Sequence, residues 1–196
     1  VDATSADAGV GGTATFHGTS LIAPAGATAL GNGDNDTFTF TPSADTPITV
    51  NGATPAVAPG DTLNLDLTGF TGKVLQLTEL RTATATFAAT AKDVKIVSVE
   101  DVNLTGGNFQ VLLDLAQASL NGVPFGNGTG NPDAVRVSLD GTGTDLLIAA
   151  AQNGQPLIGY FAMNLSGARA LSLAGSADRT DFSLAESAGR LPTFSG

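Results

Sequence analysis

The chain has 196 residues, which is enough for one large domain or two small ones with a substantial core. Hydrophobic residues make up 42% and charged residues only 13%, and this balance excludes a solvated, disordered chain. The net charge is −10 with 8 basic residues, so no basic stripe exists to neutralise nucleic-acid phosphates. The absence of Cys excludes disulfides, thiolate metal sites and cysteine nucleophiles.

The two ends of the sequence differ in composition from the segment between them. Residues 1–12 are small and polar, and we expect a flexible arm there. Residues 13–184 are expected to form a single all-β domain, and residues 185–196 an extended C-terminal segment. The chain begins with Val1, as expected for a mature form after signal removal or for a fragment. No run of about 18 apolar residues occurs, so no membrane insertion is expected.

Strand patterns dominate the chain from its first third onward. The segments that alternate side-chain classes with a period of two are 36–42, 46–52, 61–69, 73–80, 82–90, 93–104, 109–115, 134–141, 145–151 and 170–175. The Asn-Gly pairs at 51–52, 121–122 and 153–154 predict type I′ turns. The sequence therefore predicts an all-β fold. Stacked β-rungs, solenoid-like and with hairpins, are favoured, and a two-sheet β-sandwich is the alternative.

Related segments occur near the two ends of the domain. Residues 14–40 align without gaps on residues 158–184, so that Gly31 falls on Gly175 and Phe38 on Phe182. A chance match between two segments rich in Gly, Thr and Ala is the alternative explanation. If the repeat is real, a unit that cannot bury its own open face needs a neighbour, in the same chain or in another copy. This arrangement favours head-to-tail stacking.

The stretch "GNGDNDTFTF" at 31–40 matches part of the calcium nonapeptide G-G-x-G-x-D-x-U-x, with U a large apolar residue. Because calcium binds several oxygen ligands, Asp34, Asn35 and Asp36 are candidate Ca²⁺ ligands. The stretch lacks two of the required glycines. The alternative is that these side chains make the hydrogen bonds of a turn before a strand.

Acidic residues elsewhere occur in pairs, at Asp61/Asp66, Glu100/Asp101, Asp140/Asp145 and Asp178/Asp181. A glycosidase needs two carboxylates in a cleft that usually carries Trp or Tyr, and this chain has one Tyr and no Trp. Solvated turn carboxylates are therefore the favoured interpretation. His17 is the only histidine, and no Gly-x-Ser-x-Gly sequence is present for a catalytic serine. We therefore expect no enzymatic activity.

Three segments carry a resemblance to a known class of proteins. They are 35–70 with "DTFTFTPS" and "DTLNLDL", 97–107 with "VNLTGG", and 171–196. They resemble the β-rich repeat modules of very large secreted surface proteins of planctomycete-type bacteria, with a distant resemblance to calcium-associated β-solenoid repeats. The resemblance implies an extracellular structural or adhesive module without known catalysis. The chain lacks the tandem glycine-rich nonapeptides of the calcium-binding repeats.

These features together predict a secreted or cell-surface structural subunit. It would assemble into a surface layer or filament through head-to-tail β contacts with other copies of itself. The alternative is an adhesive module that binds surface glycans or proteins with the assistance of calcium. Nucleic acid is not expected as a partner.

Overall fold

The structure is a computed structural model, which describes residues 3–4, 13–16, 26–31, 33–53, 60–164 and 168–185. Within these ranges every regular element is a β-strand, which confirms the all-β prediction. The strands in chain order are β1 (Ala3–Thr4), β2 (Thr13–Phe16), β3 (Ala27–Leu30), β4 (Thr37–Phe40), β5 (Ile48–Asn51), β6 (Thr62–Asp66), β7 (Lys73–Glu79), β8 (Thr82–Thr86), β9 (Val94–Val97), β10 (Asp101–Thr105), β11 (Phe109–Asp114), β12 (Ser119–Leu120), β13 (Val123–Pro124), β14 (Asp133–Leu139), β15 (Asp145–Ala151), β16 (Ile158–Asn164), β17 (Ala168–Ala174) and β18 (Thr180–Leu184).

The strands form two eight-stranded mixed sheets and one small hairpin, β12–β13. Sheet 1 has the spatial order β1-β3-β5-β9-β8-β7-β11-β17, and sheet 2 the order β18-β14-β15-β16-β10-β6-β4-β2. Neighbouring strands are parallel except around β8 in sheet 1 and β15 in sheet 2, each of which is antiparallel to both of its neighbours. All other strands of a sheet therefore run in one direction.

The chain crosses from one sheet to the other between most successive strands. From β2 to β6 the strands alternate strictly between sheet 2 and sheet 1. Two antiparallel meanders interrupt this alternation, β7–β8–β9 in sheet 1 and β14–β15–β16 in sheet 2. After each meander the chain crosses over again and lies beside an earlier strand. The two-sheet arrangement is thus clear, and the choice between stacked rungs and a sandwich stays a prediction.

One hydrophobic cluster includes the inward-facing residues of both sheets. The period of two puts alternate side chains inside, as with Leu63 and Leu65 of β6. Their parallel neighbours Val102 and Leu104 of β10 lie at the same register and are equally buried. Since burial of one such side chain stabilises a fold by about 1.5–3 kcal/mol, a one-residue slip of register would be costly.

Two local predictions are wrong and two are confirmed. The segment 93–104 is not one strand but two, β9 and β10 in different sheets, because Ser98 has a φ of 50° and turns the chain. Asn51-Gly52 is not a hairpin turn, because Asn51 ends β5 and neither residue has a positive φ. Both residues of the pairs at 121–122 and 153–154 do have positive φ, as a type I′ turn requires.

Much of the predicted arm and C-terminal segment lies outside the described residues. Of residues 1–12 only Ala3–Thr4 are described, and they form β1 beside β3. Of residues 185–196 only Ala185 is described, and its N–H donates to the carbonyl of Val137 at 2.8 Å. His17 also lies outside. None of the described segments forms a helix long and apolar enough to cross a membrane.

The related segments predicted at the two ends coincide with strands that follow the same path. Residues 14–40 contain β3, β4 and most of β2, and residues 158–184 contain the whole of β16, β17 and β18. In both segments the three strands lie in sheet 2, then sheet 1, then sheet 2. The two aligned segments therefore have the same order of strands across the two sheets.

Candidate functional site

Three acidic residues form a column along one side of the molecule, where the chain crosses from sheet 1 to sheet 2. This acidic column consists of Asp36, Asp61 and Glu100, which precede β4, β6 and β10. Asp61 Oδ1 accepts the N–H of Asp36 at 2.7 Å, and Glu100 Oε2 accepts the N–H of Asp61 at 2.8 Å. The carboxylates of Asp61 and Glu100 therefore each hold the backbone of the crossing stacked next to them.

Arg81 binds the end of the acidic column to the rest of the fold. Its Nη1 lies 2.6 Å from Glu100 Oε1, and its backbone N–H donates to the carbonyl of Tyr160 at 2.8 Å. The N–H of Val99 donates to the Arg81 carbonyl at 3.1 Å. The turn between β7 and β8 is thereby joined both to the third crossing and to β16.

Glycine is required beside the column because no Cβ fits there. A Cβ on Gly52 would lie 2.3 Å from Asp61 Oδ2 and 2.5 Å from the Ser98 carbonyl oxygen. A Cβ on Gly31 would lie 2.6 Å from Asp36 Oδ2. These glycines permit close approach between stacked crossings, not an unusual φ.

A similar corner occurs at the C-terminal end of the fold. Gly175, which aligns with Gly31, lies before β18, and a Cβ built on it would be 3.2 Å from Thr180 Oγ1. Thr180 aligns with Asp36, so a shorter polar side chain occupies the place of the carboxylate. This equivalent contact supports the internal repeat independently of the strand order.

Asp61 is the most perturbed member of the column. The residue is buried, and its Oδ2 has no hydrogen-bond partner among the described residues. Burial raises the pKa of Asp61 to about 6, and the charges of Glu100 and Asp36 act in the same direction. The interpretation of Asp61 as a solvated turn carboxylate is therefore wrong, because its carboxyl lies inside a corner.

This raised pKa predicts a pH-dependent stability. Because the folded-state pKa of Asp61 lies above its ordinary value of 3.8, the group stabilises the fold fully below that value and loses this contribution as the pH rises through about 6. We expect Asp61→Asn to gain stability relative to the unmodified chain between about pH 4.5 and pH 7.5. The gain is on the order of 1–2 kcal/mol in the free energy of unfolding, measured by urea titration.

A matched control comes from Asp66 at the end of the same strand. Hydrogen bonds from Thr68 are the main cause that lowers the pKa of Asp66, so its charge is complete throughout that pH range. Asp66→Asn should therefore show no such trend. Identical pH profiles for the two variants would contradict the buried position of Asp61.

The predicted calcium ligands lie at the N-terminal end of the column. Asp34 and Asn35 are half-buried and Asp36 is buried. The Oδ1 of Asn35 is buried without a hydrogen-bond partner in the described chain, and an oxygen of this kind suits a hard cation. Across the described ranges, no group of three or more His, Cys, Asp or Glu side chains is arranged to hold a metal ion. Calcium binding by Asp34, Asn35 and Asp36 stays a prediction.

Other carboxylates hold turns, as the sequence predicted for them. The Oδ1 of Asp140 accepts the N–H groups of Thr144 at 2.9 Å and Asp145 at 3.0 Å. The hydrogen bond from the Thr142 hydroxyl is the largest cause that lowers the pKa of Asp140. Asp140 is therefore engaged in the turn that joins β14 and β15.

Among the described strands, β17 and β18 lie at one edge of sheet 1 and sheet 2, and the core continues to that edge. Phe182 and Leu184 of β18 lie at the register of the buried Val135 and Val137 of β14, yet they are 43% and 61% exposed. In sheet 1, Leu171 and Leu173 of β17 are only partly buried against the core. We call these four leucine and phenylalanine residues the open end.

A groove lies on the sheet 2 side of the molecule. Its volume is about 400 Å³, and Leu147 and Ile158 contribute exposed apolar side chains to it. Arg81 and Arg136 line the same groove. Glu100 lines the groove as well and is paired with Arg81, so the groove combines an apolar surface with the guanidinium group of Arg136 and the Arg81–Glu100 ion pair.

The sequence analysis did not predict that Asp36, Asp61 and Glu100 stack into one column beside Gly31 and Gly52. A signal was present, because Asp36-Thr37 and Asp61-Thr62 each open a strand in which polar and apolar residues alternate.

In comparisons with known proteins, no protein-family model, curated protein or solved structure matches the chain.

Proposed function

We propose that the chain is an extracellular structural subunit that assembles into a surface layer or filament by head-to-tail β contacts. One observation carries the proposal: the edge strands at the two ends have matching topology. β1 and β17 form the edges of sheet 1, and β2 and β18 form those of sheet 2. The two edge strands of each sheet run in the same direction, because the antiparallel steps in each sheet come in pairs.

Within this proposal the fold is a stack of rungs, each with a strand in either sheet. The alternation from β2 to β6, the acidic column and the equivalent corners at Gly31 and Gly175 support this description. A stack of parallel rungs exposes unpaired N–H and C=O groups at both ends. Parallel addition of a second copy would satisfy them.

The proposal assigns no catalysis to the chain and places it outside the cell, at the cell surface. Its support is the structural role of the acidic side chains, since Asp61, Glu100 and Asp140 all accept hydrogen bonds from backbone N–H groups. The resemblance to repeat modules of secreted surface proteins points to the same location.

Truncation tests the proposal. Removing residues 1–12 removes β1 and so changes the N-terminal edge of sheet 1. We expect a folded monomer that no longer assembles, as seen by circular dichroism, sedimentation velocity and negative-stain electron microscopy. A truncated chain that folds and assembles like the full chain would contradict head-to-tail contact through this edge.

The second candidate function is an adhesive module that binds surface glycans or proteins with the assistance of calcium. The groove beside Arg136 favours it, because it offers apolar contacts from Leu147 and Ile158 next to the guanidinium group of Arg136. This function predicts a monomer whose affinity for an acidic glycan falls in Arg136→Ala and on chelation of calcium. Unchanged affinity in both experiments would exclude it.

A further inference from the structure

The open end has the properties of an interior surface left without its next layer. Phe182 and Leu184 align with Phe38 and Phe40 of the N-terminal segment, which are only 1% and 2% exposed. The difference follows from position, because β4 lies between β2 and β6, whereas β18 has only β14 beside it among the described strands. Within this part of the chain, no parallel strand covers the outer side of Phe182 and Leu184.

The N-terminal edge offers a strand of the required register. Ala14 and Phe16 of β2 pair with Phe38 and Phe40 of β4, both of which face the core. In sheet 1, Ala3 of β1 pairs with the buried Ala29 of β3. The positions of β1 and β2 that share the register of core residues are therefore small or apolar.

We infer that β18 of one copy pairs in parallel with β2 of a second copy, so that Phe182 and Leu184 lie at the register of Ala14 and Phe16 of that copy. This inference rests on the proposed head-to-tail function and names its contact. In sheet 1, β17 would pair in parallel with β1 of the same second copy. The alternation between sheets then continues, since the last described strands of one copy are β17 and β18 and the first described strands of the next copy are β1 and β2.

A second copy is favoured over an unrelated occupant for two reasons. Strand direction matches in both sheets at once, which a partner without this two-sheet spacing would not provide. The contact surface is apolar, so it associates in spite of the net charge of −10 on each copy, and salt should strengthen it by screening.

The test compares Leu184→Asp with Ser183→Asp, which adds the same charge at the next residue, on the other face of β18. Leu184 is exposed in the single chain, so the variant should fold, as checked by its thermal melting curve. We expect Leu184→Asp to raise the critical concentration for assembly at least about tenfold, with Ser183→Asp much closer to the unmodified chain.

A capping experiment gives an independent measurement. The variant Leu184→Asp keeps its N-terminal edge, so adding it to the unmodified chain should terminate growth and shorten the filaments seen by electron microscopy. If the unmodified chain assembles but Leu184→Asp assembles equally well and does not cap, this contact is wrong and the general function stands. If the unmodified chain stays monomeric at every salt and protein concentration, the function and this inference both fail.

Discussion

Gly52→Ala is expected to destabilise the fold by about 2–3 kcal/mol, measured as the free energy of unfolding in urea. The new Cβ would lie 2.3 Å from Asp61 Oδ2 and 2.5 Å from the carbonyl oxygen of Ser98. Asp61 is buried, and Ser98 O is a backbone atom, so moving either atom away from the new Cβ costs free energy. The crossings stacked on either side of Gly52 must separate instead.

Gly141→Ala is the matched control. It lies in a turn where nothing is within 4 Å of an added Cβ, and its φ is not positive. Alanine there is expected to leave stability unchanged or to raise it by up to about 1 kcal/mol, because it restricts the unfolded chain. Equal stabilities for Gly52→Ala and Gly141→Ala would show that the crossings are not in close contact.

Lys73→Met is expected to destabilise the fold by about 1–3 kcal/mol. Lys73 is 7% exposed, and its Nζ donates to the carbonyl oxygens of Gly106 at 2.8 Å and Leu67 at 3.2 Å. These carbonyls follow β10 and β6, so the ammonium group joins two stacked crossings on the side opposite the acidic column. Methionine fills a similar volume but has no N–H donor, so the Gly106 carbonyl loses the hydrogen bond that the Lys73 ammonium group donates.

The control for this prediction is Lys92→Met. Lys92 is exposed, and its backbone N–H, which Lys92→Met keeps, donates to the carbonyl of Ser43 at 2.7 Å. We expect a change within about 0.5 kcal/mol. A loss of stability in Lys92→Met as large as that in Lys73→Met would mean that removal of positive charge from an acidic chain, not the buried contact, causes the effect.

The strands with a clean period of two could be predicted from the sequence. The segment 73–80 contains β7, and the segment 61–69 contains β6. In both, Leu residues at alternate positions are buried, and the residues between them, such as Asn64 and Val74, are less buried. The acidic turn at Asp140 was also predictable, since Asp followed by Gly and Thr favours local hydrogen bonds to the backbone.

The strand β16 was missed because a β-bulge disturbs its pattern. The pairing of β15 with β16 shifts between Ile148 and Ala149, which leaves Tyr160 as an extra residue on β16. Tyr160 and Phe161 are consequently both buried although they are adjacent in sequence. A period of two cannot reveal a strand in which two neighbours point inward.

The role of Gly52 shows why the corners were not predictable either. Asn-Gly is a strong local signal for a turn with positive φ, but here glycine is needed for its lack of a side chain next to Asp61. That need arises only after β5, β6 and β9 are stacked. The hydrogen bonds of the acidic column join residues 25 and 39 positions apart, so no local pattern specifies them.

The central claim is that copies of this chain continue each other's sheets head to tail, and the axial rise of the assembly tests it most directly. In its described residues each copy contributes eight strands to either sheet, and strands in a sheet lie about 4.8 Å apart. Electron cryomicroscopy should therefore show filaments with one subunit per about 38 Å and a strand repeat of about 4.8 Å along the axis. Filaments with an unrelated rise, or monodisperse particles under all conditions, would contradict it.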